Sequence, residues 1–233
     1  MTTPAADSRT TTPPPGPQIH DRHPLALALF GLTLVSGLID AVSYLGLGHV
    51  FTANMTGNVV VIAFALAGAP GFSVTGSLTS LAAFLLGALL AGRLATRTPG
   101  PRRPARLGTV FALEAALYGV AAAVVFVRGT DGPAQYVVIA LLALAMGIRN
   151  GTVRSLGVPD LTTTVLTLTL TGLAADSRLA GGAAARQRRK ILSVVTMLAG
   201  AAPGAVLVLH GQTAWALVAS AVLAGGTLLV HRE

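Results

Sequence analysis

The sequence predicts an all-α membrane protein with six transmembrane helices and two re-entrant or broken half-helices, arranged as an inverted-topology repeat. Seven or eight full spans are the alternative. Three observations favour the first arrangement: an apolar composition, the placement of the basic residues, and an internal repeat. The chain of 233 residues is 53% hydrophobic and 10% charged, with a mean hydropathy of +0.72. A soluble domain carries about 25% charged residues, so this composition indicates a protein that lies in a lipid bilayer.

Residues 1–24 differ in composition from the rest of the chain. Their sequence, "MTTPAADSRTTTPPPGPQIHDRHP", is rich in Thr and Pro and predicts a disordered cytoplasmic tail. The apolar run 25–47 follows, and it is longer than the roughly 7–15 apolar residues of a signal peptide. No clear cleavage site follows that run. We therefore expect it to stay as the first span, and residues 25–233 to form one polytopic membrane domain.

Several later segments also have the length and composition of spans. A transmembrane helix takes roughly 20 mostly apolar residues, and six segments meet this requirement: 25–47, 73–95, 107–127, 134–153, 191–209 and 212–230. Two other segments are ambiguous. Segment 51–68 begins with polar residues, whereas segment 160–175 is short and contains six threonines. These two are the predicted half-helices.

The positions of the basic residues distinguish the two arrangements. If both ambiguous segments crossed the membrane, the basic loops 97–106 and 176–190 would lie on opposite faces, contrary to the positive-inside rule. If both segments re-entered, the two loops would share a face with both termini. Fifteen of the 16 Lys and Arg residues would then be cytoplasmic, with only Arg128 outside. The re-entrant arrangement, with both termini cytoplasmic, is therefore predicted.

Two stretches of the chain resemble each other: "GLIDAVSYLGLGHVFTANMT" and "GIRNGTVRSLGVPDLTTTVLT". If this resemblance reflects an internal repeat, each half of the membrane domain, about 25–127 and 134–230, contains three crossings and one re-entrant segment. Because three is odd, the second half has the opposite orientation, an arrangement common in secondary transporters. The matched residues are Gly37 with Gly147, Asp40 with Asn150, Thr52 with Thr163, and Thr56 with Thr167.

The same residues carry a resemblance to a known family. The stretches "GLIDAVSYLGLGHVFTANMTGN", "LLALAMGIRNG" and "TTTVLTLTLTGLAAD" resemble the YoaK family of bacterial integral membrane proteins over essentially residues 25–230. Two positions differ from that family's pattern: Leu168 stands in place of a glycine, and Arg149 in place of a common glutamine. The resemblance implies a multi-pass protein of the bacterial cytoplasmic (inner) membrane. Because the family is a domain of unknown function, it implies no activity.

Two acidic residues lie inside predicted spans. A charged side chain at the centre of a bilayer costs about 2.5–3.5 kcal/mol on insertion scales, and such residues usually face the bundle interior or a water-filled cavity. Asp40 is therefore the first candidate for binding a proton or cation. The alternative is a structural role in which it bonds neighbouring Ser and Thr groups. Glu114 is a weaker candidate, because we expect it nearer the interface and partly solvated.

Five residues at the start of segment 51–68 are further candidates for a substrate or ion site: Thr52, Asn54, Thr56, Gly57 and Asn58. Polar residues followed by an apolar stretch are typical of a half-helix that begins inside the membrane. Its first N–H groups have no partners within the helix, and its positive end favours anions or polar ligands. The alternative is an ordinary capped helix in which Asn54 and Asn58 form hydrogen bonds across a helix interface.

In the second copy the corresponding candidates are Asn150, Thr163 and Thr167. Thr163, Thr167 and Thr171 would share one face of a helix, although the alternation in "VLTLTLT" is also typical of a strand. An isolated strand leaves backbone groups unpaired, which hydrocarbon does not tolerate. We therefore predict a half-helix.

The predicted function is a small-solute or ion transporter or channel. Its polar midplane site would combine Asp40 with the two half-helix tips, residues 56–58 and 167–169. A non-transporting scaffold or accessory protein is the alternative, and a dry core with every polar group satisfied would favour it.

Other classes of function have less support in the sequence. The chain has no HExxH, GxSxG or phosphate-binding glycine motif, so we expect no enzyme, no cofactor and no metal site. The net charge of +8 follows from the cytoplasmic loops and does not indicate nucleic-acid binding. The expected partners are the lipid bilayer and an unknown small solute or ion, with homo-oligomer formation left open.

Overall fold

The computed structural model describes residues 24–97, 103–156, 166–182 and 187–232. These residues form eight α-helices and one short 3-10 helix, Arg178–Ala180, and contain no β-strand. The predicted tail, 1–24, lies outside the described residues except for Pro24, and Thr163 lies outside them as well. The α-helices are α1 (Pro24–Gly46), α2 (Met55–Leu66), α3 (Val74–Arg97), α4 (Arg103–Arg128), α5 (Gly132–Leu156), α6 (Leu166–Ala175), α7 (Gln187–Leu209) and α8 (Thr213–Arg232).

The long helices coincide with the predicted spans. Helices α1, α3, α4, α5 and α7 are long and apolar enough to cross a membrane. The sixth predicted span, 212–230, is α8; its apolar part Thr213–Leu228 belongs with α2 and α6 among the shorter apolar helices. The prediction of an all-α membrane protein is confirmed.

The two ambiguous segments form short helices. Helix α2 has 12 residues and α6 has 10, which at 1.5 Å per residue gives lengths of about 18 and 15 Å. A hydrocarbon core is about 30 Å thick, so each helix has about half the length that a crossing requires. Helix α6 also decides between the two interpretations of "VLTLTLT": the described part of this sequence is helical.

The long helices pack in pairs. Helix α3 packs most extensively on α5, α1 on α7, and α4 on α8. Helix α8 also contacts α1, and α4 contacts α5 in a similar way. Each short helix packs on the long helix that follows it, α2 on α3 and α6 on α7.

Glycines allow the closest of these pairs to touch backbone to backbone. A Cβ added to Gly37 of α1 would collide with the carbonyl oxygen of Met197 on α7. A Cβ added to Gly147 of α5 would collide in the same way with the carbonyl oxygen of Phe84 on α3. Small residues at such positions are typical of helix interfaces in membranes, where close packing replaces the hydrophobic effect.

Much of the outer surface is apolar. Leucines at five positions of α3 are exposed: Leu78, Leu85, Leu86, Leu89 and Leu90. Helices α7 and α8 also expose large apolar side chains, among them Leu198 and Val222. A soluble monomer rarely exposes so many large apolar side chains on neighbouring positions, whereas lipid tails accommodate them.

Candidate functional site

The N-terminus of α2 is held by the loop that precedes it. Asn54 caps the helix, because its Oδ1 accepts a hydrogen bond from the backbone N–H of Gly57 at 3.2 Å. Gly57 packs against Phe51, and a Cβ added to it would lie 2.8 Å from Phe51 Cδ2. The loop passes so close to the helix that only glycine fits here without rearrangement.

Asn58 anchors the same loop from one turn into the helix. This residue is fully buried, and its Oδ1 accepts a hydrogen bond from the Phe51 N–H at 2.9 Å. Its Nδ2 donates to the Phe51 carbonyl oxygen at 2.6 Å and to Ser80 Oγ on α3 at 3.2 Å. These bonds match the structural alternative set out for Asn58. Asn58 therefore fixes the position of the α2 tip by holding the preceding loop and α3 together.

The tips of the two short helices share a cavity of about 270 Å³, which we call the carboxylate cavity. It lies between α1, the start of α2, the start of α6, and α7. Asp40, Asn54 and Thr167, all selected from the sequence, meet here. The lining residues are Ser36, Asp40, Phe51, Ala53, Asn54, Leu166, Thr167 and Met197.

Asp40 is the ionisable side chain of this cavity. The residue is partly accessible, but its Oδ1 atom is buried and has no hydrogen-bond partner within the described parts of the chain. A buried carboxylate without a hydrogen-bond partner is costly, because desolvation disfavours the charge and the nearby Arg149 guanidinium compensates for it only in part. A proton, a cation or a hydrogen-bond donor from outside the chain would remove this cost.

A second, larger cavity adjoins the first. It measures about 680 Å³, and we call it the aromatic cavity because Tyr44, Phe51, Phe64 and Phe72 contribute to its lining. The rings of Tyr44 and Phe51 are stacked with centroids 4.8 Å apart. The rings of Phe64 and Phe72 meet edge to face at 5.6 Å. Together these rings form an aromatic wall.

The two cavities have lining residues in common. Phe51, Asn54 and Thr167 line both. Thr56 and Gly57, two more of the predicted site residues, line the aromatic cavity. Residues at the tips of α2 and α6 therefore contribute to the lining of both cavities.

A buried ionic network lies beside the carboxylate cavity. Arg149 of α5 is fully buried and forms an ion pair with Glu114 of α4. Its Nη2 also donates to the Tyr118 hydroxyl at 3.2 Å, and that hydroxyl donates to Glu114 Oε1 at 2.6 Å. Its Nη1 donates to α1, at 2.9 Å to the Leu32 carbonyl oxygen and at 2.7 Å to Ser36 Oγ. One guanidinium thus connects three helices, and Ser36 links it to the lining of the cavity.

This network corrects two expectations from the sequence. Glu114 was expected to be partly solvated near the interface, but it is 1% exposed and paired with Arg149. Arg149 was counted with the cytoplasmic basic residues, but it lies in the core with 0% exposure. The sequence contained one signal for Arg149, its replacement of the glutamine common in the YoaK family. The sequence contained no sign of the ion pair itself, because Glu114 lies 35 residues from Arg149 along the chain.

The remaining candidates lie outside the cavities. Thr52 is fully buried, and its Oγ1 has no hydrogen-bond partner among the residues that the structure covers. Asn150 is half-buried on α5. Neither residue lines the carboxylate or the aromatic cavity. The first copy of the repeat therefore contributes most of the site, and the second contributes chiefly Thr167.

The described residues contain no metal-ion cluster, and a third cavity among them lacks ionisable side chains. Within ranges 24–97, 103–156, 166–182 and 187–232, no group of three or more His, Cys, Asp or Glu side chains is arranged to hold a metal ion. A further cavity of about 560 Å³ lies near Gly46, Phe126 and Trp215, and its lining contains no ionisable side chain. Asp40 thus distinguishes the carboxylate cavity.

The fold and the site define a class: a multi-pass α-helical membrane protein in which two short helices converge on a buried carboxylate. The chain belongs to the family described as "Protein of unknown function (DUF1275)", whose model matches residues 28–230. It is 36% identical over 145 residues to the UPF0700 transmembrane protein YoaK of Bacillus subtilis (strain 168). That alignment covers 62% of this chain and 64% of the relative, so the chain spans less than two thirds of the relative's length. No solved structure matches this chain.

Proposed function

We propose that this protein is a transporter or channel for a small solute or ion, with Asp40 as its central binding group. The observation that carries this proposal is the carboxylate cavity, in which the unpartnered Oδ1 of Asp40 lies beside the tips of α2 and α6. Broken helices that meet at a polar site inside the membrane are typical of secondary transporters. The site occurs in a membrane protein whose family has no assigned activity.

The scaffold alternative has less support. A scaffold needs a core in which polar groups satisfy one another, and the Arg149 network meets that condition in part, although Glu114 Oε2 and Arg149 Nε have no hydrogen-bond partner in the described chain. Asp40 does not, because it faces a cavity large enough for several water molecules or a small ligand. We propose neither an enzymatic activity nor a resident cofactor.

We further infer that the two halves form an inverted-topology repeat. Equivalent helices make equivalent contacts: a Cβ on Gly200 of α7 would collide with the carbonyl oxygen of Leu34 on α1. A Cβ on Gly87 of α3 would collide with the carbonyl oxygen of Leu144 on α5. In the proposed repeat α1 corresponds to α5, and α3 corresponds to α7. Exchanging the two halves therefore converts the α1–α7 pair into the α5–α3 pair. The matching backbone contacts of Gly37 and Gly147 fit the same exchange.

The positive-inside rule supports an orientation for this repeat. Arg97 ends α3, Arg154 lies in the last turn of α5, and Arg188 lies at the start of α7. With both termini in the cytoplasm, these three residues share the cytoplasmic face, and Arg128 at the end of α4 lies outside. The membrane in question is the bacterial cytoplasmic (inner) membrane.

A flux measurement tests the proposal. The full chain is reconstituted in proteoliposomes and assayed with small anions, cations and metabolites, with and without a pH gradient. We expect flux of at least one class, and its loss or uncoupling in Asp40→Asn with nearly normal expression. Asp131→Asn is the matched control, because Asp131 is exposed in the loop before α5. Equal flux in wild type and Asp40→Asn would contradict the proposal.

A further inference from the structure

We propose that the carboxylate and aromatic cavities together bind a small organic cation, an ammonium group attached to an apolar body. This inference rests on the proposed function, since it names the substrate class of the same site. It follows from the charge of the site, the composition of its lining, its size, and the aromatic rings beside it.

The charge of the site favours a cation. Two carboxyl groups, Asp40 and Glu114, lie near one guanidinium, that of Arg149. Glu114 holds this guanidinium in a direct ion pair, whereas no hydrogen bond joins Asp40 to it within the described chain. Asp40 therefore faces the cavity without a direct partner, and a positively charged ligand supplies one. The N-terminal ends of α2 and α6 favour anions, but Asn54 caps the end of α2, and an anion in contact with Asp40 would be repelled by its full charge.

The lining of the carboxylate cavity favours an organic cation over a bare metal ion. Hard metal cations such as Ca²⁺ and Mg²⁺ take six or more oxygen ligands. Few oxygens are free here: Ser36 Oγ already interacts with Arg149 at 2.7 Å, and Asn54 Oδ1 with the Gly57 N–H at 3.2 Å. Much of the remaining lining is apolar, including Leu166 and Met197. An ammonium needs few acceptors and brings an apolar body that fits this surface.

The volume limits the size of the ligand. The carboxylate cavity measures about 270 Å³, and one water occupies about 30 Å³ of liquid volume. The cavity therefore has the volume of about nine water molecules, which is enough for a small organic ligand. A primary amine with one aromatic ring has this size.

The aromatic cavity provides the route by which such a ligand arrives. Cations are attracted to the faces of aromatic rings by about 0.5–2 kcal/mol, and the lining of the cavity of about 680 Å³ includes four aromatic residues: Tyr44, Phe51, Phe64 and Phe72. Phe51 lines both cavities. Its ring can therefore contact the ligand on entry and in the bound position next to Asp40.

Binding of two matched compounds to the full chain in detergent tests this inference. 2-Phenylethylamine is the cationic probe, and 2-phenylethanol is its neutral counterpart of equal size. We expect calorimetry to give an affinity for the amine that is at least about tenfold higher than that for the alcohol. We expect Asp40→Asn to remove this preference and Phe51→Leu to weaken amine binding about threefold or more. Asp131→Asn should leave both affinities unchanged.

The outcomes separate this inference from the proposed function. Equal affinity for amine and alcohol in wild type would overturn the inference, and so would Asp40-independent binding of the amine. Asp40-dependent flux of K⁺, Na⁺ or protons with no amine binding would overturn it while the transport proposal stands. Asp40-dependent amine binding without flux of any solute would support the inference and contradict transport. If Asp40→Asn does not yield a monodisperse protein, the amine–alcohol comparison in wild type and Phe51→Leu decides.

Discussion

The ion pair between Arg149 and Glu114 should behave as one energetic unit. Glu114→Gln leaves a buried guanidinium with neutral acceptors only, and Arg149→Gln leaves a buried carboxylate with the Tyr118 hydroxyl as its donor. Removing one partner of a buried pair costs about 3–5 kcal/mol. For a chain of this length each kcal/mol lowers the melting temperature by about 2–4 °C. Each single substitution should therefore lower it by roughly 6–20 °C.

The double variant Glu114→Gln/Arg149→Gln distinguishes pairing from mere proximity. It removes both charges and leaves two amides that can form hydrogen bonds with each other, so we expect it to cost clearly less than the two single substitutions together. A coupling of about 2 kcal/mol is the expected size for groups in direct contact. The melting temperature of the full chain in detergent is read by fluorescence-detected size-exclusion chromatography.

The control for this cycle is an exposed pair of charges. Arg128 and Asp131 both lie exposed around the turn between α4 and α5. Arg128→Gln, Asp131→Asn and their combination should each change stability by less than about 0.5 kcal/mol. The reasoning fails if the core double variant loses as much stability as the sum of its two single variants.

Two further predictions follow from the helix packing and the basic residues. Gly37→Ala should strongly destabilise the protein in the same melting assay, because the new methyl group collides with α7. Gly92→Ala is the control: its added Cβ has no atom within 4 Å, so it should be neutral or stabilise the protein by about 0.5–1 kcal/mol. Equal effects of the two substitutions would contradict the backbone contact at Gly37. The chain has no cysteine, so single cysteines report topology directly: one at Asp131 should react with an impermeant maleimide in intact cells, and one at Arg188 only after permeabilisation. Labelling of both in intact cells would refute the proposed orientation.

The sequence alone determined the helices and their lengths. Hydropathy is a local property, and a helix satisfies its own backbone hydrogen bonds in lipid, so each apolar segment specifies its own structure. The predicted spans lie within a few residues of the observed helices, as for 25–47 and α1, Pro24–Gly46. The short helices α2 and α6 were also predictable, because their polar starts are visible in the sequence. Asp40 was identified for the same reason, as a charge in an apolar run.

Only the tertiary structure decided which polar residues meet. Nothing local distinguishes Asn54, which lines both cavities, from Asn58, which binds the backbone of Phe51 behind them. Glu114 and Arg149 are partners because α4 and α5 pack together, and their ion pair leaves Asp40 as the carboxylate that faces the cavity. In lipid an unpaired polar group is costly because no water is available to pair with it. Its role therefore depends on which neighbour the helix packing brings within reach.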